Sequence, residues 1–245
     1  MKPTTLFELC VENLESARAA EEGGADRIEL CTDLSVGGVT PPRELMAAVV
    51  HDLAIPVHVL IRPRAGDFVF SRDEFECMRL QIEAVKGAGA SGIATGVLLS
   101  DGRVDIERTR ELIDWARPMD VTFHRAFDEA VDLKQALEDV IATGADSLLT
   151  SGGAADVLSG AEMIRALAEQ AAGRIPLIAG GGLRLENLTE VIRVSGVFCL
   201  HGSLSRRNGK PAGPARAADV REAVRLLRAE AAELPPPAAR QAQPA

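Results

Sequence analysis

The sequence predicts one α/β domain, a single (β/α)8 barrel of TIM type, and three observations support this fold class. Short apolar strands alternate with amphipathic helical segments along the chain, which is typical of a parallel sheet. Counting gives eight strand–helix units, and 245 residues is a usual length for a closed barrel. A helix-to-strand junction recurs, first as Gly24-Ala25-Asp26, then at 89–91 and 144–146, and glycine suits the left-handed end of a helix.

The elements follow in order along residues 1–234. Strands are predicted near 6–10, 27–31, 57–62, 92–97, 121–124, 147–150, 176–179 and 197–201. Helices are predicted near 13–23, 41–53, 72–88, 105–117, 132–142, 156–172, 185–194 and 215–233. Asn13 suits the start of the first helix, and Ser71 with Glu74 has the spacing of a capping box. Residues 235–245 form a Pro/Ala-rich tail that we expect to be disordered.

Composition narrows the function classes. The net charge of −9 disfavours nucleic-acid and membrane-surface binding, and no apolar run is long enough to span a bilayer. The first residues lack the features of a signal peptide, so we expect a cytoplasmic protein. The four widely spaced cysteines are expected to be free thiols. A homo-oligomer is possible, and the sequence leaves the oligomeric state open.

Three of the four histidines lie in strand patterns, and two of these are followed closely by arginine. His58 precedes Arg62 and Arg64, whereas His124 directly precedes Arg125. Ionisable groups are rarely buried unless they are paired, so placing them on apolar strands has a structural cost. In this fold the active site lies at the carboxyl ends of the strands, and a shared polar site there is the simplest explanation.

The first two strands repeat the pattern Glu-Leu-Cys. Because side chains alternate along a strand, Glu8 shares a face with Cys10, and Glu29 shares a face with Cys31. If both faces point inward, two thiols on adjacent strands could flank one soft metal ion, and thiolates select Cu(I) or zinc. The alternative is that each cysteine is simply a small buried apolar residue.

An anion site is the second possibility at the same rim. Arg62 and Arg64 could form a fork for a carboxylate or phosphate, or they could neutralise Glu8 and Glu29. Glycine-rich turns near the last strands commonly hold phosphate in these barrels. The predicted anion-binding residues are Arg62, Arg64, Arg125, Ser151, Gly180, Gly181 and Gly182.

These segments together resemble the CutC family of copper homeostasis proteins over about residues 6–205. The resemblance rests on Glu29-Leu30-Cys31, on the runs 37–41, 101–105 and 149–152, on 56–68 and 121–128, and on Gly180-Gly181-Gly182. It implies a TIM-type barrel, a cytoplasmic location, a role in copper homeostasis and Cu(I) binding by Cys10 and Cys31.

A copper role leaves the arginines and the glycine-rich turn unexplained, so two alternatives stay open. The first is an enzyme of unknown reaction that applies general acid–base chemistry to a small anionic molecule bearing phosphate or carboxylate. Its candidate catalytic residues are Glu8, Glu29, His58, His124, Asp128 and His201. The second treats the polar set as a structural network inside the barrel.

Overall fold

A computed structural model, which describes residues 4–204, 206–207, 210–211 and 213–233, confirms the (β/α)8 barrel. All pairs of neighbouring barrel strands are parallel, and the eighth strand pairs with the first to close the barrel. The strands are β1 (Leu6–Val11), β2 (Arg27–Leu30), β3 (Val57–Leu60), β4 (Gly92–Thr95), β5 (Asp120–Phe123), β6 (Ser147–Thr150), β7 (Leu177–Gly180) and β8 (Cys199–Gly202).

Helices surround the barrel and begin and end where the local chemistry favours it. They are α1 (Leu14–Gly23), α2 (Arg43–Asp52), α3 (Arg72–Ala88), α4 (Ile106–Ala116), α5 (Leu133–Thr143), α6 (Ala161–Ala171), α7 (Leu185–Ser195) and α8 (Ala217–Glu233). The Asn13 side chain accepts a hydrogen bond from the Ser16 N–H at 2.8 Å, and Ser71 and Glu74 form the predicted capping box. Within the described ranges, no helix is both long and apolar enough to cross a membrane.

Some boundaries differ from the prediction. Helix α6 begins at Ala161 rather than near 156, because the Asp156 carboxylate accepts hydrogen bonds from the N–H groups of Leu158 and Ser159 and forms a turn there. Strand β8 starts at Cys199, two residues late. The prediction also lacks two short 3-10 helices, Leu34–Val36 and Arg125–Glu129, and a hairpin of β9 (Arg206–Arg207) and β10 (Lys210–Pro211). The predicted tail at 235–245 lies outside the described residues.

The apolar core lies between the barrel and the helices, whereas the barrel interior is unusually polar. On β1 the fully buried Phe7 and Leu9 belong to the outer apolar core, and the alternating Glu8 and Cys10 occupy the interior. This alternation repeats on β2, where Ile28 and Leu30 pack outward. The helix-facing layer therefore stabilises the fold, and the interior is left to polar side chains.

Candidate functional site

A cavity of about 220 Å³ opens at the carboxyl ends of the strands. Its size is below the usual range for drug-sized ligands, so it suits a small molecule or an ion. The lining residues are Cys10, Glu29, Leu34, Gly37, Leu60, Arg62, Phe68, His124, Arg125, Leu149, Gly181, Gly182, His201, Gly202 and Ser203.

Small residues on β4 make room for two of the buried histidines. A Cβ atom at Gly92 would lie 2.4 Å from Nε2 of His58, and a Cβ atom at Gly96 would lie 2.8 Å from Nδ1 of His124. Each imidazole therefore fills space that a side chain on or just after β4 would otherwise occupy. The small residues of this strand and the histidines of its neighbours form one packing arrangement.

One side of the cavity brings sulfur, carboxylate and imidazole together; we call Cys10, Cys31, Glu29 and His201 the thiol wall. The Sγ atoms of Cys10 and Cys31 are 3.4 Å apart, and the Cys10 Sγ lies 3.7 Å from Oε1 of Glu29. Ligand atoms of Cys10, Glu29 and His201 all lie within 4.8 Å of one another. Cys31 is fully buried beside Cys10 and does not line the cavity. Both thiols are free and face inward together.

A charged triplet lies beside the thiol wall. Glu8 accepts a hydrogen bond from His201 Nδ1 at 2.7 Å and forms a salt bridge with Arg27. Burial opposes ionisation of Glu8, but the hydrogen bond from His201 and the charge of Arg27 lower its pKa to about 2. Burial alone would lower the pKa of His201, yet the charges of Glu29 and Glu8 raise it above the ordinary value. Glu8 is therefore an ionised carboxylate that holds His201 in place.

The two groups nearest the cavity on this side have their pKa values displaced upward. The hydrogen bond with Cys31 and burial raise the pKa of the Cys10 thiol well above its usual range. Burial also raises the pKa of Glu29, and the charge of Glu8 adds to this effect. Without a bound cation the thiol wall therefore favours protonated groups.

A second part of the cavity lining carries Arg62, His124 and Arg125, which we call the donor wall. Arg62 donates from Nη1 to the carbonyls of Val36 and Gly38, and from Nη2 to the carbonyl of Gly66 at 2.6 Å. No carboxylate among the described residues forms an ion pair with it, and its Nε is buried without a hydrogen-bond partner. Arg62 is thus a 5% exposed cation whose charge is not neutralised by contact.

His124 is held as a neutral hydrogen-bond donor. Its Nδ1 accepts a hydrogen bond from the Ala126 N–H at 3.3 Å, which leaves the proton on Nε2. That Nε2 is buried without a partner in the described part of the chain. Burial and the charge of Arg62 lower the pKa of His124 to about 3, so the ring is neutral at physiological pH.

Arg125 is fixed by a network that also shapes the turn after β6. Its Nε donates to Asp128 at 2.8 Å, and its Nη2 donates to the Ser151 hydroxyl at 3.0 Å. Asp128 additionally accepts hydrogen bonds from the Thr150 hydroxyl and from the N–H groups of Ser151 and Gly153. Asp128 is therefore fully engaged in positioning Arg125 and this turn, and it does not line the cavity.

The structure brings most of the predicted site residues to one mouth of the barrel. Those that line the cavity are Cys10, Glu29, Arg62, His124, Arg125, Gly181, Gly182 and His201. Glu8, Cys31 and Ser151 contact lining residues without lining the cavity themselves. Gly180 lies in β7 against Leu149 and His201.

Two predicted residues lie elsewhere. His58 is buried over Gly92 away from the cavity lining, and burial together with the charge of Arg27 lowers its pKa to about 4. Arg64 pairs with Glu74 at 2.5 Å and with Asp67 at 2.9 Å, which ties it to the start of α3. The interpretation that Arg62 and Arg64 neutralise the strand glutamates is wrong, because Arg27 pairs with Glu8.

Sequence reasoning did not identify Arg27 and Phe68 as part of the site. Arg27 precedes Glu29 by two residues, so alternation places it on the same inward face of β2, opposite Glu8 in the register of β1. That signal was present in the sequence. Phe68 contacts both Arg62, at 4.6 Å from guanidinium carbon to ring centroid, and His124, at 4.9 Å between centroids. Only the folded loop after β3 places it there.

Fold and site together define a class: a (β/α)8 barrel protein with a buried thiol, carboxylate and imidazole cluster at its mouth. The sequence profile of the CutC family matches residues 5–206, and the chain belongs to this family. A CutC family protein of Chromobacterium violaceum is 46% identical over 198 residues, which cover 81% of this chain and 80% of that protein.

Two further relatives agree. The human copper homeostasis protein cutC homolog is 46% identical over 198 residues, covering 81% of this chain and 72% of the human protein. A solved CutC structure from Streptococcus agalactiae superimposes with a TM-score of 0.76 at 30% identity, covering 82% of this chain and 99% of that one. Sequence and structure therefore place the chain in the same family.

Proposed function

We propose that this protein binds Cu(I) through Cys10 and Cys31 and serves copper homeostasis in the cytoplasm. The observation that supports this most directly is the 3.4 Å separation of the two Sγ atoms. Metal–sulfur bonds of about 2.3 Å allow two sulfurs up to about 4.6 Å apart to bind one ion. Thiolates are soft ligands that favour Cu(I) and zinc among the biological metals, and the family's name favours copper of the two.

The rest of the thiol wall suits a cation. Glu29 and His201 place an oxygen and a nitrogen within reach of the same point as the Cys10 sulfur. The ionised Glu8 lies one hydrogen bond behind His201 and adds negative charge on this side of the barrel. A bound cation would relieve the cost of burying these groups close together. The human relative carries the name copper homeostasis protein, which agrees with this proposal.

An anaerobic Cu(I) titration against a competing chelator tests the proposal. We expect replacement of both cysteines, Cys10→Ser with Cys31→Ser, to lower Cu(I) affinity by more than about a hundredfold, because serine oxygen is a hard ligand. Cys77→Ser is the matched control, since Cys77 is an exposed thiol on α3. Unchanged affinity in the double variant, or an equal loss in the Cys77 variant, would contradict Cu(I) binding at this pair.

A second candidate function is favoured by the hydrogen bond between Glu8 and His201. A carboxylate that orients an imidazole at a cavity is an arrangement for general acid–base catalysis, and Glu29 lies beside it as a second proton carrier. The reaction would be proton transfer on a small anionic substrate held by the donor wall. Under this function Glu8 positions His201, and His201 and Glu29 touch the substrate.

Deuterium incorporation tests this candidate without knowledge of the full reaction. Metal-free protein in D₂O with a set of small carboxylates and phosphates should exchange a carbon-bound hydrogen of its substrate, seen by proton NMR. We expect His201→Gln to lose this exchange, because glutamine cannot accept the proton. Cys77→Ser should retain it. Exchange at equal rates in wild-type protein and His201→Gln would overturn the assignment.

A further inference from the structure

Two buried nitrogens in the cavity walls have no hydrogen-bond partner. Nε of Arg62 and Nε2 of His124 are both covered from water, and neither meets an acceptor among the described residues. Their side chains are 5% and 4% exposed. A buried donor without a partner destabilises the fold, more so when the group is charged, so native structures rarely leave one unsatisfied.

Both nitrogens are donors, and this excludes a cation as their partner. Arginine has no acceptor, and His124 carries its proton on Nε2 because Nδ1 accepts from the Ala126 N–H. Arg125 adds a third donor group on the same wall, 42% exposed in its side chain. The missing partner must therefore be an acceptor, and the positive charge of Arg62 favours one with negative charge.

One ring lies against both donors. The Phe68 ring packs on the guanidinium of Arg62 and edge-to-face against the imidazole of His124. This ring belongs to the loop between β3 and α3 and itself lines the cavity. A ligand in the cavity reaches both unpartnered nitrogens only when the Phe68 ring moves aside, and Leu60 and Leu149 supply an apolar surface beside that ring.

We propose that the donor wall binds the carboxylate of a small organic acid, with one oxygen on Nε of Arg62 and the other on Nε2 of His124. The body of the acid would lie along Leu60 and Leu149 and point toward Cys10, Glu29 and His201. This site goes beyond Cu(I) binding and does not depend on it, because no residue of the donor wall is a copper ligand in our proposal. It would define the substrate class of the second candidate function.

A carboxylate balances the charge of the donor wall better than a phosphate does. Arg62 is the only cation of the donor wall, within the described ranges, that lacks an ion-pair partner, since Arg125 already pairs with Asp128. A single negative charge therefore balances the wall, whereas a phosphate would bring up to about two.

Isothermal titration of the full-length, metal-free protein with glycolate, succinate and inorganic phosphate tests the proposal. We expect saturable binding of at least one of the two carboxylates and weaker binding of phosphate. Arg62→Lys keeps the charge but removes the Nε–H donor, and it should weaken carboxylate binding by about tenfold or more. Arg64→Lys is the matched control, because Arg64 pairs with Glu74 and Asp67 outside the cavity.

A crystal structure of the wild-type protein soaked with glycolate provides a readout that does not depend on a variant folding. The expected result is a carboxylate within hydrogen-bond distance of both nitrogens. Four outcomes would overturn the proposal: no saturable carboxylate binding, tighter binding of phosphate, equal affinities in Arg62→Lys and Arg64→Lys, or ordered water alone beside the two nitrogens. A protein that fails to bind Cu(I) would not contradict the carboxylate proposal, because the two sites use different residues.

Discussion

The two walls of the cavity both contain buried polar groups but differ in how these groups are satisfied. On the thiol side, Glu8 is ion-paired with both Arg27 and His201, although Nη2 of Arg27 is buried without a hydrogen-bond partner, and Cys10 contacts both Cys31 and Glu29. The donor wall keeps a cation and a neutral histidine whose nitrogens find no acceptor. Burial alone therefore does not determine what a site binds, because the available partners decide which ligand is missing. A soft cation suits one wall, and a carboxylate suits the other.

Removing Glu8 from the charged triplet that it forms with Arg27 and His201 should have the largest effect on stability. Glu8→Ala leaves the mostly buried Arg27 and His201 without their carboxylate, and we expect a loss of about 3–5 kcal/mol in the free energy of unfolding. Glu74→Ala breaks the pair with the partly exposed Arg64 and one half of the capping box with Ser71, and it should cost clearly less than Glu8→Ala because these groups are exposed to solvent. Urea denaturation of both variants measures the contrast, and similar losses would contradict it.

A series of unfolding measurements at different pH values tests whether the buried histidines are neutral in the folded protein. The pKa of His58 is about 4 in the folded protein and about 6.5 in the unfolded chain, so the unfolded state binds more protons between these values. The stability that the neutral His58 ring contributes is therefore complete above pH 6.5 and is lost as the pH falls toward 4. Between pH 7 and 4.5 wild-type protein should lose about 2–3 kcal/mol more than His58→Gln.

The matched control for this series is His51→Gln, since His51 is exposed on α2. It should show the same pH dependence as wild type in urea denaturation. A His58→Gln variant whose stability falls as steeply with acid as wild type would show that this ring is already charged or solvated in the folded protein.

A substitution with a smaller expected effect on stability tests whether the His58 ring fills the space beside β4. Gly92→Ala places a Cβ atom 2.4 Å from the His58 ring, and overpacking of this kind costs about 1–3 kcal/mol. Gly87→Ala is the control, because Gly87 lies inside α3 with open space around it and alanine favours a helix by about 0.5–1 kcal/mol. Thermal unfolding should shift in opposite directions in the two variants. A shift in the same direction would contradict the packing argument.

Sequence reasoning was most successful where one strand decides the outcome. Alternation along β1 and β2 placed Glu8 with Cys10 and Glu29 with Cys31 on inward faces, and the structure confirms both pairs as neighbours in the barrel. Helix starts at Asn13 and Ser71 were also predictable, because capping depends on residues within one turn.

Partners from distant elements were not predictable in the same way. Arg64 was expected at the anion site, yet it pairs with Glu74 in the first turn of α3, a contact that depends on how the loop after β3 folds. Asp128 was expected to be catalytic, but the turn after β6 supplies hydroxyl and N–H donors that surround it. The unpartnered nitrogens of Arg62 and His124 are visible only once every neighbouring acceptor has been placed.

Anomalous diffraction at the copper edge, from crystals grown anaerobically with Cu(I), tests the central claim most directly. We predict one peak within bonding distance of the Sγ atoms of both Cys10 and Cys31, at about 2.3 Å by analogy with other metal–thiolate bonds. The peak should vanish in crystals of the Cys10→Ser, Cys31→Ser protein. Copper bound only at Cys77 or Cys199, or at a site that survives the double substitution, would contradict the account.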